Sequence, residues 1–245
     1  MIRRVSPVVL LASIVTAACS SQAPANSVLP RQAEPAAQAP ADPATFVRQT
    51  FMHGVPYEQA RALPPGASTT LIAMLADPAQ EPYLANIVVT LGIVADPAGV
   101  DPLIGVIQNG TGRLSREQYA AKTGAIMALG YLVNGADDNR ALQYLQQGAT
   151  ADGWDGRKIG WTSPYTESPA ERSEQLAKVS ILGLALTGKP AAADTLRQVA
   201  QRGGNRQTSE ALASSASDAL REHDIIAKQG LASYYRRDVS VQQPR

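Results

Sequence analysis

The sequence predicts an all-α protein, an α-solenoid of about five helical hairpins with one insertion of 15 to 20 residues between its third and fourth units. Apolar residues recur at helical spacing through most of the chain beyond residue 43. The dipeptide Leu-Gly returns at Leu91-Gly92, Leu129-Gly130 and Leu182-Gly183, with Leu220-Arg221 in the equivalent place. Successive spacings are 38, 53 and 38 residues, so one period holds except for 15 extra residues after the third unit. Self-similarity at such a period marks stacked units, because each leaves an apolar face that only its neighbour covers.

The second unit is the plainest. Leu84, Ile87, Val88, Leu91 and Val94 share one helical face, Leu91-Gly92 closes that helix, and Asp96-Pro97 turns the chain. Val100, Leu103, Ile104 and Ile107 then form a second stripe. In the third unit Ser115 and Gln118 form a capping box ahead of Tyr119, Thr123, Ile126, Leu129 and Val133. Asn134-Gly135 breaks that helix before Ala141, Leu142 and Leu145. In the fourth, Ser168 caps a helix bearing Leu176, Val179, Leu182 and Leu186, Gly188 stops it, and Pro190 opens a partner with Leu196 and Val199. The fifth pairs Leu212, Ala216, Ala219 and Leu220 with Ile225, Ile226 and Leu231, with Glu222-His223-Asp224 between the two helices. The first, Phe46 to Leu75, is interrupted by Pro64-Pro65-Gly66. Degenerate ends are expected of capping units.

LGIVADPAGVDPLIGVI, from Leu91 to Ile107, resembles the HEAT repeat, whose units pair antiparallel helices around an Asp-Pro turn. LGLALTGKPAAADTLRQVA, from Leu182, is similar with Gly188-Lys189-Pro190 at the turn. Leu129 to Ala149 resembles a Sel1-type, tetratricopeptide-like unit almost as closely. Both resemblances imply an α-solenoid, over about residues 44–237, with residues 238–245 a C-terminal tail.

Residues 1–18 read as an export signal: Arg3 and Arg4 supply charge, Val8 to Val15 the apolar core, and Thr16-Ala17-Ala18 the small residues before Cys19. The stretch is too short for a permanent span. It resembles a lipobox, with Thr16 where Leu is usual, and the resemblance implies acylation of Cys19, the only cysteine. Ser20 after it implies delivery to the outer membrane, lipid-anchored on the periplasmic side. The other reading is ordinary cleavage and a soluble periplasmic or secreted protein. Residues 19–43 are rich in Ala, Pro and Gln without periodic apolar residues, as an extended tether would be.

The formal charge is +1, and without Arg3 and Arg4 it is 20 basic against 21 acidic residues. No basic stripe with interleaved aromatics recommends nucleic acid. The densest run, Tyr234-Tyr235-Arg236-Arg237, reads as a solvated last helical turn. No disulfide is available, so packed helices carry stability.

Chemistry is sparse. His53, at a position equivalent to a core leucine, reads as buried or half-buried, and His223 as an exposed turn residue; 170 positions apart, they are not expected to share a metal. No Gly-x-Ser-x-Gly elbow or Walker loop occurs, and Gly110-Thr111-Gly112 is a loop fragment. Asp152-Gly153-Trp154-Asp155-Gly156 lacks the further acidic positions of a calcium loop. No metal, cofactor or catalytic residue is expected. The insertion, Gly148 to Glu167, holds both tryptophans, and Trp154, Arg157, Lys158, Trp161 and Tyr165 are candidate partner-binding residues; alternatively Trp154 and Trp161 plug the gap between units. Gln108, Gln143, Gln146, Gln147, Arg197 and Gln201 form a second candidate strip along the second helices. The expectation is a non-catalytic adaptor for an unknown envelope protein. The alternatives are a glycan-directed enzyme or accessory subunit using Asp152, Asp155 and Glu167, or a self-assembling structural protein with Ile225 or Leu231 exposed.

Overall fold

In a computed structural model, residues 42–166, 168–202 and 209–241 are described, the last with side chains through residue 236. Cys19, the export signal, all but the end of the tether, Glu167 and the end of the tail lie outside the described residues.

Eleven α-helices and almost no strand make the described chain all-α. Many begin where a local signal places them. Asp42, Asp77 and Asp96 each precede a proline and accept a backbone N–H two or three residues on, which aligns Pro43 and the 3-10 turns at Pro78–Tyr83 and Pro97–Gly99 for helical entry. Helices α1 (Pro43–Val47), α2 (Tyr57–Arg61) and α3 (Ala67–Leu75) make the first unit, with Pro64-Pro65-Gly66 between the last two. Next come α4 (Leu84–Val94) and α5 (Val100–Gln108). The full capping box of Ser115 and Gln118 opens α6 (Arg116–Ala136), and Asp138 caps α7 (Asn139–Gln147). A second box, Ser168 with Glu171, opens α9 (Pro169–Thr187), which Gly188 ends at φ 61° before α10 (Pro190–Gln201).

Neighbours in space follow neighbours in sequence. Helices α4, α6, α9 and α11 (Glu210–Val241) pack side by side in that order. The second helices are bridged in the same order: Gln108 reaches the Tyr144 hydroxyl at 3.4 Å, and Gln146 donates to the Thr195 hydroxyl at 3.1 Å and to the Ala191 carbonyl. An exposed Arg140–Asp101 pair at 3.0 Å ties α7 to α5 as well. The core runs from Phe46 to Leu231 as one cluster.

Several sequence expectations are corrected. Leu91-Gly92 does not close its helix; like Leu129-Gly130 and Leu182-Gly183, it lies inside one, where backbones cross. A Cβ at Gly92 would come within 2.5 Å of the Ala128 carbonyl oxygen, and one at Gly130 would overlap the Gly183 carbonyl. The repeat therefore records close approach between successive first helices. Leu182 is not on the buried stripe but 48% exposed. Asn134-Gly135 still belongs to α6, which ends at Asp137 with φ 58°.

The fifth unit is not two helices around Glu222-His223-Asp224. Helix α11 continues through them and bends at Gly230, φ 76° and ψ 159°, a conformation closed to side-chain-bearing residues. The bend brings Tyr235 onto Tyr57 of α2, ring centroids 5.4 Å apart, and into a hydrogen bond with the Tyr131 hydroxyl. The Tyr234-Tyr235 run thus packs against the chain, while Arg236 remains exposed 3.8 Å from Glu58. Leu231 is buried and Ile225 half-buried, so neither forms the exposed apolar end that self-assembly would use.

Candidate functional site

A groove of about 640 Å³ opens between α3, α5, the loop 109–114 and α6. Ile72 and Leu75 of α3, Leu84 of α4 and Leu114 line it with apolar surface, and Asn109, Thr111 and Gln118 supply polar groups. A smaller hollow of about 170 Å³ continues it past Leu75, Leu84 and Gln118 towards Asp77 and Glu81.

The insertion holds this groove open. Its segment β2 (Trp161–Thr162) pairs in parallel with β1 (Gly112–Arg113), with Leu114 N–H donating to the Thr162 carbonyl at 3.1 Å. That two-residue ladder, which helical periodicity gave no reason to expect, braces the loop forming one wall. Trp161, 0% exposed, donates its Nε1–H to the Ile107 carbonyl at 2.9 Å and meets Tyr119 edge-on at 6.2 Å. Arg172 of α9 caps the Trp161 carbonyl. Behind it, Thr150 caps the short α8 (Ala151–Asp155), whose Trp154 is buried and donates to the Gly148 carbonyl at 2.8 Å.

The five candidate binding residues therefore separate. Trp154 and Trp161 are inside, filling the space between the third and fourth units, and are corrected from contact residues to core. Their indole N–H groups meet carbonyls left over at helix ends, which makes full burial affordable for both rings. Arg157 is half-buried: its guanidinium stacks 3.8 Å from the Tyr144 ring centre and 4.1 Å from that of Trp154, and its Nη2 donates to the Tyr144 carbonyl. Burial lowers its pKa and raises that of Tyr144. Only Lys158, at φ 50°, and Tyr165, 57% exposed and edge-on to Tyr119, face solvent.

The remaining sequence candidates are also placed. Asp155 accepts a hydrogen bond from Ser173 while Asp152 is exposed, and neither lines the groove. The histidine expectations are reversed. His53 is exposed in a turn, and His223 is 3% exposed, its Nε2 2.9 Å from the Lys189 carbonyl. Among the described residues, no group of three or more His, Cys, Asp or Glu side chains could hold a metal. Of the glutamine strip, Gln108 and Gln146 are spent on bridging second helices.

Lys122 escaped sequence reasoning. It lies on α6 at the apolar spacing of Tyr119, Ile126, Leu129 and Val133, a lysine on a core stripe, and that was the available signal. It is 7% exposed in the groove wall, and its Nζ donates to the Val106 carbonyl at 2.7 Å and the Asn109 carbonyl at 2.5 Å. The ammonium thus caps the C-terminal end of α5, where the helix dipole favours a cation, and lies 5.2 Å from the Trp161 ring centre. Burial pushes its pKa down to about 8.

Among the described residues no helix is long and apolar enough to cross a membrane. Compared with protein-family models, curated proteins and solved structures, the chain gives no match.

Proposed function

We propose that this protein is a non-catalytic adaptor of the cell envelope, a HEAT-like array anchored through Cys19 to the periplasmic side of the outer membrane, that docks a partner protein in the groove between α3, α5 and α6. The observation that carries the reading is the groove itself. It is open and continues into a second hollow, its walls are largely apolar with scattered hydrogen-bonding groups, and a strand-paired loop braces one side. Such a trough suits an extended segment of another chain, which brings its own backbone donors and acceptors. The sequence beyond the groove supports the same reading, with an export signal, a cysteine placed for acylation and a Pro-rich tether.

The test uses a photo-crosslinking residue at Thr111 on the groove wall and, as control, at Met52, which is 85% exposed and lines none of this groove. Irradiation of intact cells is expected to give one discrete adduct from Thr111 and none from Met52. Equal, diffuse labelling from both positions would remove the groove as a docking site. The anchor is checked separately: Cys19→Ala is expected to abolish palmitate labelling and move the protein to the soluble fraction.

A further inference from the structure

Lys122 carries a buried charge that the chain meets with dipoles and a ring face but with no opposite charge. Its ammonium is almost wholly buried, and its two hydrogen-bond acceptors are neutral carbonyls, so no anion neutralises it. Among the described residues it forms no ion pair, and its other polar contact is the face of the Trp161 ring, 5.2 Å from its centre. Buried charges are ordinarily paired, because desolvation is costly without an opposite charge. One side of the ammonium is free of side chain, since Gly110, at φ 103°, lies beside it; a Cβ there would sit 3.7 Å from Nζ. Gly110 and Lys122 both line the groove, so a ligand lying in it passes beside the ammonium.

The rest of the trough restricts what carries that carboxylate. Leu75 and Leu84 line both the groove that holds Lys122 and the hollow that holds Asp77 and Glu81, so the lining between the cation and the acidic end is apolar. Asp101, which also lines the groove, is paired with Arg140. A ligand with its anion at one end, an apolar group beside it, and neutral or basic character further along complements all three regions. A ligand negative throughout its length meets repulsion from Asp77 and Glu81.

We infer that the groove captures the free C-terminal carboxylate of a partner polypeptide whose last side chain is apolar, with the carboxylate on Lys122 and the preceding residues running past Leu84 towards Glu81. The inference rests on the adaptor reading and specifies its partner's end. Capture of a chain terminus by convergent donors combines one charge-assisted contact with backbone hydrogen bonds.

The purified full-length chain is titrated with a pool of short random peptides ending in leucine, as free acids and as C-terminal amides, and with decanoate. The acids are expected to bind roughly tenfold to a hundredfold more tightly than the amides, the range for one hydrogen bond to a charged group. Lys122→Met, with helicity checked by circular dichroism, is expected to erase that difference. Equal affinity for acid and amide, absence of binding by the acids, or decanoate displacing them would each overturn the inference. The acid-against-amide comparison needs no variant, so a Lys122→Met chain that fails to fold leaves the test standing. A discrete Thr111 adduct that excess acid peptide does not compete away would overturn this inference while leaving the adaptor standing; failure of Thr111 to give any adduct when no peptide is added would remove the adaptor.

Discussion

Replacing Trp161 by alanine measures how far the insertion belongs to the core. The indole is 0% exposed, spans from the Ile107 carbonyl to Tyr119, and shields the ammonium of Lys122. Truncating a buried tryptophan costs about 3 to 5 kcal/mol from lost burial and the cavity left behind. In a domain of this size each kcal/mol moves the melting temperature by about 2 to 4 °C, so a fall of roughly 6 to 20 °C is expected. Trp161→Phe keeps most of the ring but strands the Ile107 carbonyl, and is expected to cost nearer 1 to 3 kcal/mol. Urea and thermal melts followed by far-ultraviolet circular dichroism give both figures, and the emission of the remaining Trp154 reports whether the change spreads through the insertion. A Trp161→Ala melt within about 1 °C of the parent would refute the placement of this side chain in the core and reopen the insertion as a contact surface.

Gly130→Val drives a branched side chain into the Gly183 backbone, so α6 and α9 must separate; destabilisation of at least 1 to 3 kcal/mol, the usual cost of overpacking, is expected in a urea melt. Lys122, with its folded pKa lowered to about 8 from an ordinary 10.5, holds fewer protons folded than unfolded above that point. Its contribution to stability therefore rises from about pH 8 towards 10, and Lys122→Met is expected to flatten that rise in melts taken across the window. Buried Tyr119 and Tyr131, whose pKa values are raised, act in the opposite direction above pH 10. Tyr235→Ala removes the ring that stacks on Tyr57 and bonds Tyr131, and is expected to speed amide hydrogen exchange around residues 231–236 while leaving α4 and α6 protected.

Much of the fold was legible because helix boundaries are set by local chemistry. Asp-Pro turns, the two capping boxes and Gly188 act within a few residues of themselves, and the helices begin or end where those signals lie. The Leu-Gly period was also visible, but its cause was not. Gly92 and Gly130 are required by a backbone passing from another helix, which no local window contains. Among the site residues, Lys122 carried a weak signal as a cation on an apolar stripe; the groove it lines did not exist until α3, α5 and α6 met.

By itself the sequence determined an all-α chain and where most of its helices begin, since hydrophobic period and capping depend on neighbours along the chain. The tertiary structure alone decided which rare residues are inside. His53 and His223 exchanged environments, the two tryptophans went into the core, and α11 ran on to Gly230 before returning to α2, because burial depends on what packs opposite a residue from 50 or 100 positions away.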